Sequence, residues 1–178
     1  MPDGRPAIDV LLGETEIAER VAGLAEEIAR SAPTDLFIVV ILKGSFVFAA
    51  DLVRALERAG VEGQVDFMTL ASYGKGTASS GSVDLVRDIS EEVAGRDVLI
   101  VDDILESGRT LAFARSLMHE RGAARLRTCL LLDKAARREV QIEADFRGFA
   151  IGDRFVVGYG LDLAHHFRGL PYIGTVRR

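Results

Sequence analysis

Val98-Leu99-Ile100-Val101-Asp102-Asp103-Ile104-Leu105-Glu106-Ser107-Gly108-Arg109-Thr110-Leu111 is the stretch that decides the fold. Four aliphatic residues in a row suit a strand covered on both faces, as in a parallel sheet, because each side of the pleat then meets apolar atoms. The two acids fall at the carboxyl edge of that strand, where open α/β sheets bind their ligands. The Glu-Ser-Gly-Arg-Thr turn delivers backbone N–H groups to the start of a helix, which is an anion site. Acids beside an anion cradle suit a phosphorylated, polyhydroxylated ligand carried with a divalent cation.

The pattern repeats upstream. Leu36-Phe37-Ile38-Val39-Val40-Ile41-Leu42 is a second unbroken apolar run. It stops at Lys43-Gly44-Ser45 and gives way to a helix carrying Phe46, Leu52, Val53 and Leu56 that closes at Gly60. Before it, Ile17, Val21, Leu24 and Ile28 recur at helical spacing from Glu14 until Pro33 ends the helix, and the first 13 residues read as an extended arm. Residues 65–71 and 83–89 read as strands. Between them residues 72–82 are rich in Gly and Ser, which predicts a mobile loop. Downstream, Leu111, Ala114, Leu117 and Met118 mark a helix ending at Gly122, and residues 126–132 a strand ending at Asp133-Lys134. Residues 149–151, 155–160 and 171–176 are short strands. This alternation predicts an α/β fold with a mostly parallel central sheet and helices on both faces.

Bulk properties narrow the function. A chain of 178 residues, 48% hydrophobic and 28% charged, fills one α/β domain. A net charge of −5 argues against a protein that binds nucleic acid by blanket phosphate neutralisation. The single cysteine, Cys129, lies in an apolar run and is expected to be buried in a reducing compartment. With no signal-peptide pattern and no apolar run of about 20 residues, a cytoplasmic protein without a membrane partner is expected. Neither Gly44 nor Gly108 supplies the spacing of a nucleoside-triphosphate loop, and Gly158-Tyr159-Gly160 is half of a dinucleotide fingerprint. Side chains of adjacent residues diverge, so His165-His166 reads as a surface pair and not a metal site. The Arg137-Arg138 pair reads as solvated.

Residues 101–110 resemble the phosphoribosyl pyrophosphate loop of the purine phosphoribosyltransferases. Leu42-Lys43-Gly44-Ser45 resembles that family's pyrophosphate loop, Ser72-Tyr73-Gly74 the start of its catalytic lid, and Leu132-Asp133-Lys134 its purine-recognition lysine. Phe155-Val156-Val157-Gly158-Tyr159-Gly160-Leu161-Asp162 with Arg168 completes the pattern of hypoxanthine(-guanine) phosphoribosyltransferases. The resemblance implies a type I phosphoribosyltransferase-like domain with a small hood from the terminal segments, residues 150–178 contributing to the purine site. It implies the salvage reaction in which a purine nitrogen displaces pyrophosphate from phosphoribosyl pyrophosphate to give IMP or GMP. It also implies Mg2+ and a dimer or tetramer.

Roles follow from the same resemblance. Glu106, Ser107, Gly108, Arg109 and Thr110 would hold the 5′-phosphate. Asp102 and Asp103 would take the ribose hydroxyls or approach magnesium, and Lys43, Gly44 and Arg168 would hold pyrophosphate. Lys134, Phe155, Val156 and Asp162 would form the purine site, Asp162 also binding metal, while Ser72 and Tyr73 would belong to the lid. Glu106, with Lys134 and Arg168, would be catalytic, as general base. Here the chain departs from the pattern: Glu106 stands where the family commonly has Asp, and Asp102 where it commonly has Glu. The alternatives are a xanthine-preferring transferase and a nucleotide-sensing regulator on the same fold.

Overall fold

The computed structural model describes residues 6–72 and 83–177. In chain order these form β1 (Ile8–Leu12), α1 (Glu14–Arg30), β2 (Leu36–Leu42), α2 (Phe46–Arg58), β3 (Gly63–Ser72), β4 (Val83–Arg87), β5 (Asp97–Leu105), α3 (Arg109–Glu120), β6 (Arg125–Asp133), β7 (Phe146–Ala150), β8 (Val156–Val157) and β9 (Ile173–Val176). The central sheet has the order β4-β3-β2-β5-β6-β7, and only the edge pair β3–β4 is antiparallel. A second sheet, β1-β9-β8, is antiparallel and joins the two ends of the chain.

Both faces of the central sheet are apolar, as the unbroken runs in β2 and β5 require. Leu36, Ile38, Val40, Leu99 and Val101 face α1 and α2, while Phe37, Val39, Ile41, Val98 and Ile100 face α3. Alternate residues of each strand thus enter two separate cores, one on either side of the sheet. Cys129 is fully buried in the first core, and burial raises its thiol pKa beyond the range of ordinary thiolate chemistry.

The pairing between β2 and β5 makes the crevice. These strands run in register from Leu36–Asp97 to Val40–Val101, whereas β5 stays paired with β6 as far as Leu105–Asp133. The chain leaves β2 toward β3 on one side and β5 toward β6 on the other, so their carboxyl ends form a topological switch point. At the opposite end Asp97 ties the sheet together: it accepts from the Thr34 amide at 2.7 Å and from the Arg125 guanidinium.

The Arg125 hydrogen bond holds the Asp97 carboxyl below its ordinary value of 3.8. A depressed folded-state pKa means the stabilisation is present above that value and is lost as pH falls through the folded pKa. Asp97→Asn is therefore expected to cost about 1–2 kcal/mol near neutral pH, with the deficit vanishing in acid, measured by urea unfolding between pH 2 and 7.

The structure departs from the sequence-based expectation in places that bear on the site. β5 continues four residues past Val101, so Asp102 and Asp103 lie inside the strand, because β6 goes on pairing with it. The expected strand at 155–160 is two residues long. Gly158, Tyr159 and Gly160 all take positive φ, 96°, 50° and 99°, and turn the chain. Of the Arg137-Arg138 pair, Arg137 is exposed as expected, whereas Arg138 is largely buried against the Asp133 carboxylate; both are ion-paired. Ser72 ends β3, and the rest of the expected lid, Tyr73 included, lies outside the described residues.

Candidate active site

Two loops flank the switch point and line a cavity of about 220 Å³ with Asp102, Asp103, Glu106 and Thr110. The first, residues 43–45, follows a non-proline cis peptide bond between Leu42 and Lys43. It is anchored from below by the buried Ser45 hydroxyl, which donates to the Ile41 carbonyl. Lys43 is exposed at the rim.

The second loop, residues 106–108, turns into α3 at Gly108, whose φ of 87° a side chain would resist. A Cβ there would also press on Ile142 and on the Val140 carbonyl at 3.1 Å. The loop is braced from behind, since the Ser107 carbonyl accepts from the Glu139 and Val140 amides at 2.9 and 3.0 Å. The first turn of α3 holds no acid. Its N–H groups, which have no partner within the helix, therefore face the cavity with no competing carboxylate from that turn. Arg109 pairs with Glu139 at 2.6 Å.

Asp102 and Asp103 lie between the loops. Burial, with the neighbouring Asp103 charge, pushes the Asp102 carboxyl well above the carboxylate range; burial raises Asp103 too, opposed by its contact with Asp102 and by the nearby charge of Arg168. Such a pair is short of positive charge and of donors, which ribose hydroxyls or a hydrated cation can supply.

The two halves of the site interlock through glycines. A Cβ on Gly44 would fall inside the Asp103 carboxylate, and one on Gly160 would overlap the Gly44 carbonyl. Arg168 completes the contact by donating to the Gly160 carbonyl at 2.6 Å and pairing with Asp162 at 2.6 Å. Gly44→Ala is expected to displace the basic loop from Asp103 and lower kcat/KM for a substrate held between the two loops by about tenfold to a hundredfold, read by steady-state kinetics with melting temperature as the control.

On the far side, Lys134 follows the last residue of β6 with only 5% of its surface exposed and donates to Glu106 Oε1 at 3.2 Å. Phe155 is 56% exposed beside the buried Val156 and Val157. An exposed aromatic ring and a buried lysine paired with a half-exposed carboxylate are the kinds of group that suit a flat heterocycle with a hydrogen-bonding edge. The structure thus gathers Lys43, Gly44, Asp102, Asp103, Glu106, Ser107, Gly108 and Thr110 on one cavity. Arg168 reaches it through Asp103 and Gly160. Asp162 is engaged on both oxygens, by Arg168 and by the His165 amide at 2.7 Å. The sequence reading missed Arg137 and Asp153, whose pairing spans 16 residues and carries no motif.

A larger groove of about 640 Å³ lies between α1, α2 and residues 168–171, and among the described residues it meets this site at Arg168.

A switch-point crevice with an anion-binding helix start on one side and a basic loop on the other suits a phosphoribosyl transferase, and residues 9–163 match the phosphoribosyl transferase domain family, which gives the class. The relatives are narrower still. The chain belongs to the hypoxanthine phosphoribosyltransferase family: it is 44% identical over 172 residues to the hypoxanthine phosphoribosyltransferase of Escherichia coli K12, with 95% of each covered. A crystal structure of a hypoxanthine-guanine phosphoribosyltransferase from Bacillus anthracis superposes with a TM-score of 0.89 at 39% identity, covering 97% of this chain and all of that one. One of a hypoxanthine phosphoribosyltransferase from Staphylococcus aureus gives 0.88 at 40%, covering 95% and 91%. No helix among the described residues is long and apolar enough to cross a membrane.

Proposed function

We propose that the chain converts hypoxanthine, guanine or both, with 5-phosphoribosyl 1-pyrophosphate, to IMP or GMP and pyrophosphate in the cytoplasm, working as a dimer or tetramer. The observation that carries this is the cavity at the β2–β5 split, which holds a phosphate cradle and a buried acid pair and is lined by Glu106, the partner of Lys134.

The 5′-phosphate sits on the amides and hydroxyls of residues 107–110 at the start of α3, where the helix dipole favours an anion. The ribose hydroxyls donate to Asp102 and Asp103. Lys43, the Gly44 amide and Arg168 take the pyrophosphate and stabilise the charge that grows on it as the glycosidic bond breaks. Phe155 stacks on the purine, the Val156 backbone meets its far edge beside Asp162, and Lys134 donates to the six-oxo oxygen. Glu106 accepts the proton from the imidazole nitrogen.

Magnesium fits this donor set. Among the described residues no group of three or more His, Cys, Asp or Glu side chains could hold a metal unaided. Magnesium, however, typically uses one or two carboxylates and completes its octahedron with water and substrate phosphates. Asp102 and Asp103 supply such a pair, with Asp162 at the pyrophosphate side. Bound there, the ion would neutralise charge on the pyrophosphate.

The test is to incubate the protein with phosphoribosyl pyrophosphate and Mg2+ and each of hypoxanthine, guanine, xanthine and adenine, following nucleotide formation. Product from hypoxanthine or guanine is expected. Xanthine as the sole substrate would move the specificity, and no product from any six-oxo purine would overturn the assignment.

A further inference from the structure

Arg137 belongs to no motif that points to chemistry, yet it joins the three segments that surround the purine. It closes the 3₁₀ turn Ala135–Arg137 that follows Lys134, its amide donating to the Lys134 carbonyl at 3.1 Å. From there its guanidinium reaches in two directions. Nη1 lies 3.7 Å from Glu106 Oε1, and Nε lies 2.5 Å from Asp153 Oδ1. Glu106 Oε1 is also the atom that Lys134 Nζ approaches at 3.2 Å. Asp153 stands two residues before Phe155 in the turn between β7 and β8, where residues 152–155 are all exposed.

We propose that Arg137 is a positioning residue of the purine subsite, holding the Glu106 carboxylate beside Lys134 and holding the Phe155 turn against that pair. The proposal rests on reading Glu106, Lys134 and Phe155 as the groups that face the base. A glutamate has one more rotatable bond than the aspartate it replaces, so a lysine contact alone leaves its carboxylate more conformers to lose when the base enters. A second cation on the same oxygen narrows that choice. Arginine suits the task because its fork presents donors to two carboxylates at once, which a lysine ammonium on a flexible stem does less rigidly. The Asp153 arm extends the constraint to the aromatic ring. Both arms are half-exposed, with Arg137 at 56%, Glu106 at 41% and Asp153 at 47%, and exposed pairs add little to folding stability. The effect therefore falls on binding of the base and not on the fold.

The experiment compares R137Q, R137K, D153N and the double variant R137Q/D153N with the parent enzyme, measuring kcat and KM separately for hypoxanthine and for phosphoribosyl pyrophosphate, with melting temperature throughout. R137Q is expected to raise the hypoxanthine KM by about fivefold while the phosphoribosyl pyrophosphate KM stays within about twofold, the size of one or two such ion pairs. R137K is expected to recover part of the loss. D153N should reproduce part of it, and the double variant should be no worse than R137Q, since one clamp is broken in each. An unchanged hypoxanthine KM in R137Q, or equal rises in both KM values, would overturn the proposal. E106Q run alongside keeps the two readings apart: unchanged turnover in E106Q removes Glu106 as the base, whereas the hypoxanthine KM of R137Q decides the clamp on its own.

Discussion

Glutamine in place of Glu106 is expected to lower kcat for nucleotide formation by about 10²- to 10⁴-fold, the range general base catalysis typically supplies. The substitution keeps the side chain's length and shape and removes its ability to accept a proton. It also takes the counter-charge from Lys134, which is buried and paired to Glu106 at 3.2 Å, so a smaller rise in the hypoxanthine KM accompanies the fall in kcat. Microscopic reversibility adds a second readout. With Glu106 as the base, the reverse reaction, pyrophosphorolysis of IMP, would use the same residue as its acid and would slow by the same factor once substrate affinities are accounted for. Single-turnover measurements in both directions separate the chemical step from product release. Full turnover in E106Q would remove the residue from catalysis, and a loss in one direction alone would be inconsistent with proton transfer at this site.

The parts of this protein that the sequence displayed are those written in local pattern. The apolar runs at 36–42 and 98–101 specified strands buried on both faces, and they occupy the centre of the sheet. Their loops announced themselves because a glycine and a short polar stretch interrupt each run just before a helix. What stayed hidden is what depends on pairing between distant segments. No local signal says that β5 continues through both acids, since that follows from β6 lying alongside it. Residues 155–160 look like a strand by composition, but the backbone turns at Gly158 and Gly160 so that Gly160 can pack on the Gly44 carbonyl. The sheet joining β1, β8 and β9 is likewise a contact between chain ends. Charged side chains were the least legible: Arg137 and Arg138 look like a solvated surface pair, and only the fold brings Asp153, Glu106 and Asp133 to meet them.

Methionine in place of Lys134 is expected to cut the discrimination between hypoxanthine and adenine by about 10³-fold. A lysine facing the six position donates to an oxo group and confronts a donor when that group is amino. A site built around a required hydrogen bond rejects the wrong partner by about 10⁴- to 10⁵-fold. Lys134 carries three N–H donors, and one contact to Glu106 leaves others for the base. Methionine fills nearly the same volume without charge or donor, so kcat/KM for hypoxanthine should fall by about 10³-fold while adenine, no longer opposed, changes little or improves, and the ratio falls accordingly. The fold should survive, because Glu106 keeps Arg137 and is 41% exposed to water, so no buried charge is stranded. Competition assays with both bases present read the ratio directly, and melting temperature guards against misfolding. A ratio that stays high in K134M would place six-oxo recognition elsewhere, with the Val156 backbone the next group to test.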